Sequence, residues 1–533
     1  MTDVLIIGSG GAGLVAAISA KEAGANVQVV SKAFATRAQT SMAQGGINAS
    51  LGNVEEDSVK EHIKDTLKSA QGLGNEEAIN KLCEEAQESV EWLDRIGLPF
   101  SRTKEGKIAQ RRLGGASGVR ACYAQDYTGL KILHTLYDRA LKMGIEFINE
   151  HFLLNYIIEE DKTVSGATFL ELNSGEVKAI HAKSVIIATG GYSQVYHGFT
   201  TNSTASTGDG IAAALRAGVR LSDMEFVQFH PTALKNSAIL ISESARGAGG
   251  YLLNSEHERF TDELAPRDVV ARAISDEIEK GGEVFLDIRH LGEAFIDHEL
   301  PQERKLAMIY EHIDPVVDLI PIKPVAHYTM GGIEVNAESM SSIEGLFAVG
   351  EVANHNVHGA NRLGGNSLLE LVVFGKEAGK NAAIFAQKNQ EESLSKQLEE
   401  DSALIEKILN FNDEMDFYKQ RELLGREFYT KAGIKRNEEG LTSLLQKVQE
   451  VQTKLSQMGP KDKSKIYNTN LTEYIEFGNS LDLAEIILRG ALSRKESRGA
   501  HFREDLQTRD DENYSGHTIV WKEEADLCID FIK

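Results

Sequence analysis

The segment Asp3 to Lys32, DVLIIGSGGAGLVAAISAKEAGANVQVVSK, constrains the fold more than any other, because strand, glycine turn, helix and second strand can all be read in it directly. Val4 to Ile7 is a short apolar run leading into Gly8-Ser9-Gly10-Gly11-Ala12-Gly13, which fits the pattern G-x-G-x-x-G. Gly8 permits the tight turn out of the strand, Gly10 lets the backbone approach a pyrophosphate, and Gly13 lets the next helix pack closely on the sheet. The unpaired amides and positive dipole end of that helix favour the phosphates' negative charge. Val27 to Val30, after Gly24, supplies the next parallel strand. A bare glycine-rich turn would lack the strand before and the helix after. The second strand ends in Ser31-Lys32, where many dinucleotide binders carry Asp or Glu for the adenosine ribose. Ser31 and Lys32 are cofactor-contact candidates by position, and the ribose contact itself is unassigned.

At 533 residues the chain exceeds one core, and length suggests three or four units. Its 57 basic and 80 acidic residues leave a net charge of -23, which argues against nucleic acid or an anionic lipid surface as the main partner. Cys83, Cys122 and Cys528 are isolated, with no C-x-x-C spacing, so neither a disulfide framework nor an iron-sulfur or zinc site is expected, and no metal ligands are assigned. A reducing cytoplasm is the expected compartment. The nucleotide fold starts at residue 3, which leaves no room for a signal peptide, and no apolar run reaches transmembrane length. Any membrane contact is expected through other subunits, at the inner face.

Along the chain, residues 33 to 53 form a Gly- and Ser-rich loop, tightest at Gln44-Gly45-Gly46. Ser58 to Ala70 and Glu76 to Ile96 read as helices, the second with a core stripe of Ile79, Leu82, Cys83, Ala86, Val90 and Leu93. Arg111-Arg112-Leu113-Gly114-Gly115 brings adjacent cations into a glycine-rich segment that by itself could be a surface turn. A helix from Leu130 to Met143 and strands near Ile145 to Ile148 and Ser165 to Leu172 continue the alternation. Ser184 to Ile187 is then a buried parallel strand running into Ala188-Thr189-Gly190-Gly191. No internal repeat or low-complexity tract is present.

GSGGAG, AQGG, ATGG and Ser206-Thr207-Gly208-Asp209-Gly210 occur in an order that resembles the flavoproteins of the fumarate reductase and succinate dehydrogenase family, whose superfamily includes L-aspartate oxidase. The resemblance extends over essentially the full chain. It implies an α/β architecture: a Rossmann-like FAD-binding domain at 1–223 and 326–400, an inserted α+β capping domain at 224–325, a helical domain at 401–505 and a C-terminal tail at 506–533. From about residue 400 the composition turns to charged, periodic segments, consistent with helices.

The resemblance also implies site residues. His230, Ser242, His327 and Arg362 are expected to hold the two carboxylates of a dicarboxylate, arginine's planar fork suiting bidentate binding. A single histidine is more commonly a satisfied structural one, so the weight rests on HPT, HYTMGG and HGANRLGGNS together. Arg267 is expected as proton donor to an alkene carbon while reduced FAD delivers hydride from N5 to the other, and Glu243 and Arg246 as the relay that refills it. The alternative for these charged residues is an ordinary buried ion-pair network. The family commonly has Thr where this chain has Ser242, and a hydroxyl is retained. Implied FAD contacts, besides Gly8, Gly10, Gly11 and Gly13, are Thr40, Gln44, Gly45, Gly46, Thr189, Gly190, Asp209, Glu351, Arg362, Ser367 and Leu368.

The sharpest rival reading is L-aspartate oxidase, which must recognise a substrate ammonium and resembles a pattern with Glu where this chain has Leu113, an apolar residue that would leave an amine desolvated. The tail, KESRGAHFRED followed by RDDEN and His517, also resembles the fumarate and succinate enzymes more closely. A flavin-loaded binding or sensor protein without turnover is a reading from another class. Electrons are expected from an iron-sulfur subunit and then a quinone-reactive or membrane-associated module, with a lone enzyme using a diffusible donor as the alternative. Covalently flavinylated members carry a His in a pattern like R-S-H-T. Here the stretch is Arg37-Ala38-Gln39-Thr40, so Gln39 implies noncovalent FAD, a lower-potential flavin and a bias toward fumarate reduction.

Overall fold

In a computed structural model of the chain, residues 2–388, 395–523 and 526–532 are described. At its centre the strand Thr2–Ile7 lies between Val27–Val30 and Val177–Ile187, parallel to both, with Ile7 opposite Val30 and Ile187. Glu146–Ile148 extends this sheet beyond Val27–Val30, and Leu346–Ala348 pairs with Val177–Ile187, again in parallel. Leu5 and Ile7 point into one core while Val4 and Ile6 point into another. Both faces of the strand are therefore covered, which is why it is apolar at successive positions rather than alternating.

The second of these cores is built against the helix Gly11–Glu22 and the long helix Asn366–Lys388. Close seating of the first helix depends on its glycines. Gly8 has φ +112°, and a Cβ on Gly13 would stand 2.0 Å from the carbonyl oxygen of Gly8, so the fingerprint is set by backbone packing as much as by any ligand.

The expectation of continued parallel alternation between 145 and 187 is corrected. His151–Ile158, Val164–Glu171 and Val177–Ile187 form an antiparallel meander, and the last strand changes partners midway. Its first half pairs with Val164–Glu171 and its Ala182–Ile187 half with the first strand. HFLLNYII went unread because it abuts Glu146–Ile148 with only two residues between. The helix expected over Glu76 to Ile96 is two, Glu76–Glu84 and Ala86–Arg95. The predicted stripe is buried in both.

Between residues 224 and 330 a separate antiparallel sheet runs in the order Val227–Leu234, Ile320–Thr329, Val284–Asp287, Tyr251–Leu253. It has its own core, with Leu234, Ile241, Leu252 and Leu286 packed on Val270 and Ile274 of the helix Arg267–Glu279. Its first strand slips register between His230 and Ala233. Pro231 has no N–H to donate there, so the ladder breaks beside His230.

The C-terminal third contains the helices Gln397–Leu409, Phe417–Lys431, Glu438–Thr453 and Thr469–Ser493. Asp416, Asn437 and Asn468 cap the last three by accepting amides with their side chains. The tail is more regular than its sequence suggests. His517–Glu523 and Asp526–Ile532 form a hairpin that adds to Leu221–Ser222. Arg494 and the ESRGAHFRED block after it make a buried ionic network, with Arg494 on Glu225 at 2.7 Å and Arg498 on Glu496 at 2.6 Å, all without exposed side-chain surface. Among the described residues no helix is long and apolar enough to cross a membrane.

Candidate active site

A long cleft opens at the C-terminal end of the parallel strands and runs from Ser31 and Lys32, past the glycine turn, to His327 and Arg362. Of the expected cofactor contacts, Gly8, Gly10, Gly11, Ser31, Lys32, Thr40, Thr189, Gly190, Asp209, Glu351, Arg362, Ser367 and Leu368 line it. Gly13 lies beneath the turn. Gln44, Gly45 and Gly46 do not line it. Arg111 draws the carbonyls of Gln44 and Gly45 toward itself at 2.8 and 2.9 Å, and Gly46 packs on Cys122. Leu113, 2% exposed, lies against Gly45.

Lys32 is fully engaged: its ammonium donates to Asp209 at 2.7 Å and to Glu476 and Thr207 at 2.8 Å. Burial works against its charge, but the two carboxylates outweigh it and raise its pKa. Glu476 comes from the helix Thr469–Ser493, so the helical region anchors a residue that lines this end of the cleft. Gln39 lines the cleft and accepts the Ser203 amide at 2.7 Å. Glu351 accepts the amide and hydroxyl of Thr329 at 2.9 and 3.1 Å, and burial pushes its carboxyl up to about 7.

At the other end the two sheets meet, and two histidines from neighbouring antiparallel strands face each other, His230 and His327 with ring centres 4.8 Å apart. His230 Nδ1 lies 3.2 Å from both the amide nitrogen and the carbonyl oxygen of Thr232, which fixes the orientation of the ring. Thr201 Oγ1 meets His327 Nδ1 at 2.7 Å. Burial, then neighbouring positive charge, holds both imidazoles well below their usual pKa. They are neutral hydrogen-bonding groups at physiological pH, and the arginines carry the charge.

Arg362 lies over the Tyr328 ring at 4.0 Å. Burial and then the charge of Arg267 lower its pKa to about 10, still cationic near neutrality. Gln228 joins the two: its Oε1 accepts Arg267 Nη1 at 3.1 Å and Arg362 Nε at 3.3 Å, and its amide donates to Asn361 Oδ1 and Arg362 O, both at 2.8 Å. Behind Arg267, Glu243 Oε2 accepts Nε and Nη2 at 3.0 and 2.6 Å. Glu243 Oε1 accepts the Gly114 amide at 2.7 Å and faces Arg246 at 3.6 Å. Burial pushes the Glu243 pKa up, but Arg267 and Arg246 overcome this and hold it low. Arg246 continues to the carbonyl of Glu263, whose side chain pairs with the half-exposed Arg259. Ser242 caps the short helix Glu243–Gly247, accepting the Ser244 amide at 3.1 Å.

A family profile described as FAD binding domain matches residues 3–368, and one described as fumarate reductase flavoprotein C-term matches 421–531. The 8-methylmenaquinol:fumarate reductase flavoprotein subunit of Wolinella succinogenes is 43% identical, covering 97% of this chain and 88% of its own. The chain belongs to the fumarate reductase and succinate dehydrogenase flavoprotein family. The succinate dehydrogenase flavoprotein subunit of Rickettsia bellii is 39% identical over 98% of this chain and 93% of its own. A variant of the E. coli quinol fumarate reductase superposes with a TM-score of 0.94 at 36% identity, covering 99% of this chain and 96% of that one. As a member of this flavoprotein family the protein is an FAD-dependent oxidoreductase with the α/β fold expected from its sequence.

The cleft fits FAD on its own chemistry. The glycine turn admits backbone approach to the diphosphate, and Thr189 Oγ1, buried on the wall, has no partner among the described residues. Two residues of this flavoprotein's site were missed from sequence. Gln228 stands two positions before His230 on one strand, and that spacing places both on the same face. Glu476 carried no comparable local signal, because its partner lies 444 residues away.

Proposed function

We propose that the chain is the catalytic flavoprotein of an enzyme interconverting fumarate and succinate, favouring fumarate reduction. What carries this reading is the pair of guanidiniums, Arg267 and Arg362, sharing Gln228 Oε1 at the end of the FAD cleft while Glu243 backs Arg267 alone. FAD, when bound, supplies hydride from N5 or accepts it there. Arg362 pairs with one substrate carboxylate, and the neutral His230 and His327, with Ser242 at the same end, hydrogen-bond the dicarboxylate. Arg267 holds the proton for the alkene carbon. A guanidinium can give up that proton because the carbon becomes strongly basic as hydride arrives, and Glu243 and Arg246 return a proton from the Glu263–Arg259 side.

Gln39, at the position of the flavin-linking histidine, supports noncovalent FAD. Acid precipitation tests this: the yellow chromophore is expected in the supernatant, and its retention in the pellet would overturn it. The three isolated cysteines support electron delivery by an iron-sulfur subunit and a quinone-reactive module, with the chain held at the cytoplasmic face through them. Co-purification of a cysteine-rich partner is the expected outcome. Full activity of the lone chain with a soluble donor would favour the diffusible-donor alternative.

L-Aspartate oxidase is the second reading, and the apolar Leu113 beside Gly45 disfavours it. Assay of the purified chain with fumarate, succinate and aspartate decides. Fumarate reduction faster than succinate oxidation is expected, and aspartate oxidation by oxygen would overturn the assignment.

A further inference from the structure

Against the backbone of Ser242, two buried acidic residues come together across the boundary between the capping sheet and the nucleotide-binding fold. Glu303 is on the helix Pro301–Tyr310 and Asp126 is just before the helix Thr128–Lys142, and both have 0% exposure. Asp126 Oδ2 accepts the Gln302 and Glu303 amides at 2.7 and 3.1 Å. Glu303 Oε1 accepts the amide of Ser242 at 3.1 Å. Each carboxyl thus has one oxygen satisfied by backbone amides. The other two, Asp126 Oδ1 and Glu303 Oε2, are buried with no partner among the described residues.

Two adjacent buried anions with unpaired oxygens carry a heavy desolvation cost, and one shared proton removes it by making one oxygen a donor to the other. We propose that Glu303 is a positioning residue that shares a single proton with Asp126 across this boundary, and that the protonated pair keeps Ser242, Glu243 and Arg246 in register with the substrate end of the cleft. The same segment touches the capping unit again where Gln125 Nε2 donates to the His298 carbonyl at 2.9 Å.

The nearby cation, Arg111, favours the charged form of both carboxyls but does not overcome their burial. Arg111 faces both carboxyls, but its Nε and Nη2 groups donate to the carbonyls of Gln44, Gly45 and Gln125 and its plane stacks on Tyr123. Glu299 adds negative charge beside Tyr123 and Arg111, and Tyr127 faces Asp126 and Glu303. Burial, reinforced by Asp126, pushes the Glu303 pKa well above the carboxylate range, and burial takes Asp126 to about 6. Near neutral pH the pair holds one proton between the two carboxyls. Alkali removes the proton and sets two anions against each other beside the Ser242 amide.

The test uses the FAD-loaded full chain and Glu303→Gln, whose amide keeps an acceptor for Ser242 and a permanent donor for Asp126. The first arm is the infrared difference spectrum of wild type against this variant near neutral pH. A protonated-carboxyl C=O band that shifts in heavy water is expected in wild type and absent from the variant. The second arm is the pH profile of KM for fumarate. Wild type is expected to rise about tenfold per pH unit above the pair's alkaline pKa, and Glu303→Gln to stay flat there with kcat nearly unchanged. Glu303→Ala, which restores neither contact, should show a raised KM at every pH. Absence of the band, or an alkaline limb that persists in Glu303→Gln, overturns the proposal. The kinetic arm rests on the fumarate–succinate reading and the infrared arm does not, so failure of one is distinguishable from failure of the other.

Discussion

One oxygen of Glu243 holds Arg267 by two N–H groups, Nε at 3.0 Å and Nη2 at 2.6 Å, in a site from which water is almost excluded. The carboxylate fixes the plane of the guanidinium, as the proposed proton-donor role of Arg267 requires. Replacing Arg267 by Ala should therefore lower kcat for fumarate by about 10³-fold, as expected for loss of a positioned acid together with its charge. Steady-state kinetics on flavin-replete protein read this. A loss smaller than tenfold would remove Arg267 from the proton-donor role.

Gln228 should control substrate affinity more than the chemical step. Gln228→Leu removes the oxygen that both guanidiniums share and leaves like charges facing each other, so KM for fumarate should rise by about tenfold, the scale of a lost hydrogen bond to a charged group. The expected signature is a kcat within a few-fold of wild type. An unchanged KM would mean that the arginines are held by other contacts.

The fingerprint glycine furthest from the cleft should matter for folding as well as for FAD. In Gly13→Ala the added methyl would stand 2.0 Å from the Gly8 carbonyl oxygen, displacing the helix Gly11–Glu22 from the sheet at a cost of about 1–3 kcal/mol. Flavin content after purification and Tm should both fall. Normal flavin retention with normal Tm would contradict the packing argument.

His517 and Asp223 tie the tail hairpin to the sheet, with Nδ1 and Oδ2 2.6 Å apart. Burial disfavours the imidazolium, but Asp223 outweighs it and raises the His517 pKa above its ordinary 6.5. Burial likewise opposes the Asp223 charge, and His517 and Arg494 bring its pKa below 3.8. The histidine's contribution to stability is complete below 6.5 and is lost as pH rises through the raised folded value. The aspartate's is complete above 3.8 and is lost as pH falls through the depressed one. His517→Gln should therefore be most destabilising at mildly acidic pH, by about 3 kcal/mol for a broken buried pair, and should approach wild type in alkali. Urea denaturation across pH checks this, and a pH-independent difference would contradict it.

Much of the site was legible because its residues sit in short contiguous blocks. His230, Arg362 and Arg267 each occur in a local pattern, and the strand–turn–helix around Gly8 announces itself through apolar runs and glycines. What stayed hidden depends on distant partners. Lys32 read only as a cofactor-contact candidate because Asp209 and Glu476 are brought to it by two distant helices. The hairpin at His517–Ile532 went unread because its pairing strand, Leu221–Ser222, is two residues long and some 300 positions earlier. The strand at His151–Ile158 was lost for a local reason: only two residues separate it from Glu146–Ile148, so the two run together in the sequence.

By itself the sequence determined the nucleotide fold, the family and the chemical types at the substrate end, because glycine turns, buried strands and HPT-like blocks are local consequences of residue size, polarity and spacing. Tertiary structure decided how those residues are charged and aimed. Burial makes His230 and His327 neutral, Gln228 spaces two arginines, Asp209 and Glu476 occupy Lys32, and Asp126 and Glu303 meet across a boundary. Each of these depends on which groups lose water together, and that is set when the chain closes on itself.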